Sequence, residues 1–258
     1  MGLAVVTVAA GGLPVVDVTA IAPRTGTPVT EAVNGRGVSV TKVAARGLPV
    51  VFEMIGVAPG VTYATWDAAT VTAVTLSGGG LVATSTGTTS VDQGAHVASA
   101  TGKTGGKYYF EITWTTVNAG GNVGLGVGTT TSTYTGMGNG GTTGVLFYKG
   151  FNAWSMGVKI LTWSASLPIV DERSGIAADL DNRKFWFRNA STAGIWNNSG
   201  TANPATNTGG LTIPAGTMVP FCTFGGTLGG AGGIFTANFG ASAFVGAVPA
   251  GFTPGWPA

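Results

Sequence analysis

Ionisable side chains are what this sequence lacks most. Lys and Arg number 12, Asp and Glu 10, and together they make up 9% of 258 residues, where soluble domains usually carry roughly a quarter. A net charge of +2, scattered along the chain, offers no basic stripe to neutralise phosphates, so no nucleic-acid partner is expected. The one cysteine, Cys222, excludes an intrachain disulfide and reads as a small buried hydrophobe in "VPFCTF". The one histidine, His96 in "DQGAHVAS", would have to serve any Ser–His–Asp or Cys–His site, and it reads as a surface residue. No apolar run approaches the roughly 18 residues of a membrane span. The opening "MGLAVVTVAAGG" has no basic stretch and a short apolar run, which does not fit a secretory signal peptide. Val6 stands where a myristoylation motif wants Ser or Thr. No segment holds apolar spacing at the helical period over three turns, so helices are not expected.

What is present suits strands. Apolar residues make up 44% of the chain and seven are Trp, enough to bury a core, while 45 glycines punctuate it. Val, Thr and Ala separated by Gly and Asn favour many short strands joined by tight turns, an all-β chain. "KYYFEITWTTV" (107–117) alternates cleanly, with Tyr108, Phe110, Ile112 and Trp114 on one face and Tyr109, Glu111 and Thr113 on the other. "NVGLGVGT" (122–129) reads as its partner strand.

Residues 1–60 differ from the rest. Gly12-Leu13-Pro14-Val15-Val16 recurs as Gly26-Thr27-Pro28-Val29-Thr30, Gly37-Val38-Ser39-Val40-Thr41 and Gly47-Leu48-Pro49-Val50-Val51. Each unit supplies a turn glycine, a Pro or Ser near a strand start, then β-branched residues. With Phe52 as its one aromatic, the segment is thin material for an independent core. It is expected to be a β-repeat module for anchoring or oligomerisation, with Val15, Val29, Val40 and Val50 as its contact residues and a trimer the favoured assembly. "GVAPGVTYATW" (56–66) marks the boundary, and residues 61–258 form the second domain.

Eight of the ionisable residues crowd between Asp171 and Arg188, around "GIAADLDNRKFWFRN" (175–189). This stretch reads as a hairpin, "GIAADL" going out, "DNRK" turning and "FWFRN" returning, with Asp181 and Asn182 supplying the turn chemistry. Arg183, Lys184 and Arg188 are then expected near Asp179 and Asp181, fixing register rather than performing chemistry. The same two aspartates share a strand face as a glycosidase pair would, but the hairpin accounts for them. "TGKTGG" (101–106) departs from a phosphate loop, since Val97 replaces the first glycine and a strand follows. No cluster has the ligand spacing of a metal site. No enzyme, cofactor or metal is therefore expected, and the sequons at Asn189 and Asn197 read as chance matches.

Taken in order, "ATWDAATVTAVTLSGGGLVAT", "TGKTGGKYYFEITW", "VGLGVG", "GIAADLDNRKFWFRN", "GIWNNSGTANPATNTGGLTI", "VPFCTFGG", "FTANFG" and "AFVGAVPAGFTP" resemble a SPRY-type domain of the bacteriophage and prophage variety, over residues 62–258. The resemblance implies a bent antiparallel β-sandwich whose loops bind protein or glycan without catalysis. It also implies a phage structural protein, a head decoration or fibre or a neck or tail fibre, made in the host cytoplasm and released by lysis. Its partners would be capsid, neck or tail proteins, and a host surface glycan or protein. An exported bacterial adhesin is the alternative. Between "VGLGVG" and the hairpin lies a zone that varies in such domains. Here it offers Tyr134, Tyr148, Asn152, Trp154 and Trp163, rings beside amides suited to sugar stacking or a protein hot spot. Glycine and asparagine flank Trp154, making it the ring most expected at the surface.

Overall fold

The computed structural model describes residues 4–8, 16–20, 61–87, 93–116, 122–132, 143–148, 152–156, 158–162, 171–191, 193–225 and 233–258. The chain divides into two compact units, Met1–Gly60 and Val61–Ala258. In the first, β1 (Ala4–Val8) and β2 (Val16–Ala20) form a two-stranded antiparallel sheet, with Ala4 opposite Ala20 and Val8 opposite Val16. β2 begins one residue past Val15, whereas Val15, Val29, Val40 and Val50 themselves lie outside the described residues.

The second unit is built of two sheets, with no α-helix among its described residues. The six-stranded sheet runs β10 (Val158–Thr162), β9 (Asn152–Ser155), β8 (Gly144–Tyr148), β7 (Asn122–Thr129), β14 (Met218–Gly225), β5 (Gly94–His96). The eight-stranded sheet runs β13 (Leu211–Thr212), β12 (Lys184–Asn189), β11 (Arg173–Asp179), β6 (Lys107–Thr116), β15 (Ile234–Asn238), β4 (Val82–Ser85), β3 (Val74–Ser77). Its eighth strand, β16 (Thr253–Pro254), pairs in parallel with Tyr108 and Tyr109 at the start of β6, on the side where β15 has already ended. Every other pairing is antiparallel.

The sheets pack face to face through their aromatics. Trp114 of β6 meets Phe147 of β8 edge-on at 5.5 Å, and Phe147 stacks on Phe187 of β12 at 4.0 Å. Phe224 of β14 and Phe235 of β15 close the other end at 4.8 Å. The period of two expected for β6 is realised. Phe110, Ile112 and Trp114 enter this main core with Tyr108 packed against it, while Tyr109 enters a second core on the opposite face. β12 splits its aromatics the same way, Phe185 and Phe187 inward and Trp186 outward. Cys222 is buried in the main core, and burial drives its thiol pKa well above the ordinary range, so it is a neutral packing group.

The strand at 122–129 is not the partner of β6. β7 pairs with β8 and β14 in the other sheet, and β6 is flanked by β11 and β15. Alternation specifies which face a strand buries, not which neighbour it takes. A chain crossing between layers of a sandwich routinely separates sequential strands.

Candidate functional site

The charged hairpin of the eight-stranded sheet consists of β11, a turn at 180–183 and β12, with Asp179 opposite Lys184. Asp179 is fully buried, and its ion pair goes to Lys107 of β6 at 3.0 Å rather than to Lys184. Lys107 is its register neighbour on the other side, so the carboxylate has a lysine on each flank and closes on one. It also receives the backbone N–H of Asn182 at 2.9 Å and the side-chain amide of Asn182 at 2.8 Å, which locks the turn. Burial alone would raise its pKa; the two Asn182 bonds and Lys107 outweigh burial and hold the carboxyl below the usual aspartate value. Its charged form therefore stabilises the fold above the ordinary aspartate range, and that contribution is lost as pH falls through the lowered pKa.

Asp181 lies exposed in the turn, not on a strand face with Asp179, and accepts the Gly106 N–H at 2.7 Å. Among the turn residues it is Arg183 that adopts the left-handed conformation, at φ 52°. Arg188 does not reach the aspartates. It donates to the Ala247 carbonyl at 2.7 Å and lies over the Trp196 ring at 4.4 Å.

That second face holds residues no motif announced. Glu111, 1% exposed, accepts from the Tyr109 hydroxyl at 2.8 Å and from the successive N–H groups of Val245 and Gly246 at 3.0 and 2.7 Å. A Cβ on Gly246 would sit 2.6 Å from the Tyr109 hydroxyl, so only glycine brings the segment this close. Burial, then the hydrogen bond and charge of Glu111, push the Tyr109 phenol far above its usual pKa, keeping it a neutral donor. The 190–210 loop covers the adjoining part of this face. Trp186 donates its indole N–H to the Thr208 carbonyl at 2.7 Å. Asn197 (φ 46°, 2% exposed) accepts from Phe187 N–H at 3.0 Å and donates to the Gly209 carbonyl at 2.8 Å. The sequon at Asn197 is thus a buried structural amide.

His96 is buried rather than at the surface, between Asp67, which donates its N–H to the His96 carbonyl at 3.0 Å, and its register partner Phe221. Phe221 opposes His96, so the next pair is Pro220 with Val97, and Val97 donates its N–H to the Pro220 carbonyl at 3.2 Å. The return bond needs an N–H that proline lacks. The His96 ring fills the vacancy, with Nδ1 2.6 Å from the Val97 carbonyl, which makes Nδ1 the protonated nitrogen. His96→Ala is expected to cost about 1–3 kcal/mol by leaving this carbonyl unsatisfied. Pro220→Val, which restores a ladder N–H, should recover part of that cost. Urea melts of the two single variants and the double variant would check this; strictly additive losses would disprove the coupling.

Of the binding residues expected from the sequence, Tyr148, Asn152 and Trp154 belong to the six-stranded sheet. Tyr134 and Trp163 lie outside the described residues. Tyr148 and Asn152 are register partners across β8 and β9, and their side chains lie outside what is described. Trp154 is half-buried and points away from the core, since its neighbours Ala153 and Ser155 face inward, Ser155 Oγ donating to the Thr212 carbonyl of the opposite sheet. One transverse row crosses the outer face: His96, Phe221, Gly126, Leu146, Trp154, Lys159. At Gly126 a Cβ would run into the Val145 carbonyl and Leu146. Phe221 and Leu146 are fully buried, Trp154 is half-buried and Lys159 is exposed, so exposure rises toward the β10 edge. Other bulky apolar residues at that edge are open too, Val158 at 61%, Met156 at 40% and Ile160 at 39% exposure.

No protein-family model and no curated protein matches the chain. Solved structures similar to it include the SPRY domain of human HERC1, at 14% identity and TM-score 0.46, covering 67% of this chain and 96% of that domain. The PSpry domain of TRIM65 is similar at 14% identity and TM-score 0.43, covering 68% of this chain and 89% of that one. Stonustoxin is similar at 16% identity and TM-score 0.45, covering 68% of this chain but 27% of the toxin. Two of the three are described as SPRY-type domains.

Proposed function

We propose that this chain is a non-catalytic structural and binding protein of a bacteriophage particle, a decoration or fibre whose first 60 residues anchor it and whose β-sandwich projects. The observation that carries the non-catalytic part is how the chemically capable side chains are used. Asp179 closes a hairpin, Asp181 ties that hairpin to Gly106, Glu111 holds a backbone strap, and His96 replaces a missing ladder donor. Each has a structural task that a reacting role would disturb. The rising exposure along the row toward Trp154 and Lys159 supports the β9–β10 hairpin as the surface that meets a partner. The phage assignment is supported by the ordered sequence stretches and by a low-charge composition rich in Gly, Thr and Ala. The anchoring role of residues 1–60 is supported by their repeat and by strand edges that invite addition to another chain.

The test compares the full chain with one beginning at Thr62. Light scattering should find the full chain oligomeric and the shorter chain a folded monomer. Purified particles should contain the full chain at a fixed copy number and exclude the shorter one. An oligomeric shorter chain would remove the anchoring role from residues 1–60. Recovery of the full chain in the bacterial envelope, with none in particles, would favour an exported adhesin.

A further inference from the structure

We propose that the outer face of the β9–β10 hairpin is a subsite for an acidic saccharide, with Trp154 stacking on a sugar ring and Lys159 pairing with its carboxylate. The two residues are directly opposite in register, so their Cβ atoms lie about 4.5–5.5 Å apart on one face. A pyranose laid on the indole therefore carries its C6 carboxylate over the neighbouring strand, where the lysine stands. The ammonium is exposed and makes no ion pair among the described residues. A register shift between Lys159 and Leu161 interrupts the pairing at this point. Such irregularities re-aim side chains and protect an edge from adding strands, which favours a ligand on the face over a strand at the rim.

Charge supplies an independent argument. Between Ile112 and Val170 the sequence contains no Asp or Glu, while Lys149 and Lys159 fall within that span. The six strands of this sheet carry no carboxylate at all. In a chain with so few charges, nothing on the sheet competes with an anionic ligand for Lys159 or repels it. An aromatic ring beside a lone cation also suits a sugar acid better than an acidic peptide, which needs several cations and no stacking platform.

The proposal rests on the hairpin being the partner-facing surface, and the experiment separates the two. The probe is a galacturonate oligosaccharide, titrated calorimetrically into the full chain, with a neutral gluco-oligosaccharide of equal length and polyglutamate as comparisons. Galacturonate binding should weaken with added salt. It should fall at least about tenfold in Lys159→Gln and in Trp154→Ala, and persist in Lys159→Arg and Trp154→Phe. Equal affinity for the neutral sugar, or an unchanged affinity in Lys159→Gln, would overturn the acidic class. Polyglutamate binding that ignores Trp154→Ala would point to charge alone and an acidic peptide instead. No galacturonate binding, with attachment to cells still lost in Trp154→Ala, would overturn the ligand class while sparing the surface. Attachment unaffected by Trp154→Ala would overturn the surface itself.

Discussion

Phe147→Ala is expected to cost about 3–5 kcal/mol and lower the melting temperature of the sandwich by roughly 10 °C. The ring is 5% exposed, stacks on Phe187 at 4.0 Å and meets Trp114 at 5.5 Å, so it bridges the two sheets at their centre. Neither neighbouring aromatic can move into the void without leaving its own strand, and the cavity would remain. Trp154, seven residues on in the same sheet, is the informative contrast. It faces outward and is partly buried, so Trp154→Ala should cost about 1–2 kcal/mol, less than the loss of a core aromatic. Differential scanning calorimetry on the two variants is decisive. A loss for Trp154→Ala equal to that for Phe147→Ala would place the indole in a core and remove it from any recognition surface.

Asn197→Ala is the second large loss expected, and no packing change is needed to produce it. The substitution deprives the buried Phe187 N–H of its partner, at about 1–3 kcal/mol, and takes from the exposed Gly209 carbonyl a bond that water can replace. It also puts alanine at φ 46°, a left-handed conformation that costs a residue with a Cβ roughly 1–2 kcal/mol and that Asn tolerates better. Asn197→Gly relieves the second cost and not the first, so it should fall between wild type and Asn197→Ala. Because the bonds tie the 190–210 loop to β12 beside Trp186 and Trp196, near-UV circular dichroism should change together with the urea midpoint. A midpoint within about 0.5 kcal/mol of wild type, the range of ordinary surface changes, would show that the loop is held by other means.

These two positions show how unevenly the structure was legible. Phe147 lies in the aromatic-rich stretch between "VGLGVG" and the hairpin, and the layer it faces puts it in the core. Asn197 lay in a loop whose sequon pointed, if anywhere, to the surface. Its burial follows from the loop folding back over Trp186, a tertiary event without a local pattern. Of the residues read as a binding face, Trp154 is described with its side chain and is partly buried; Tyr134 and Trp163 lie outside the described residues. Glu111 carried a weak signal that was available: a carboxylate in the middle of an aromatic strand must find donors somewhere.

What the sequence determined by itself is local. Strand character, the period-two faces of β6 and the turn between β11 and β12 each follow from residues within a few positions of one another, through side-chain alternation and the dihedral preferences of turn residues. What the tertiary structure decided is partnership. β7 joins β14 instead of β6, Asp179 chooses Lys107 over Lys184, and the His96 ring meets a carbonyl opposite Pro220, remote in sequence and without an N–H. Each of these is settled by which backbone edge or charge arrives alongside when the two sheets close. A hydrogen bond or ion pair depends on distances of a few ångströms, and residues far apart in the chain acquire those distances only in the folded sandwich.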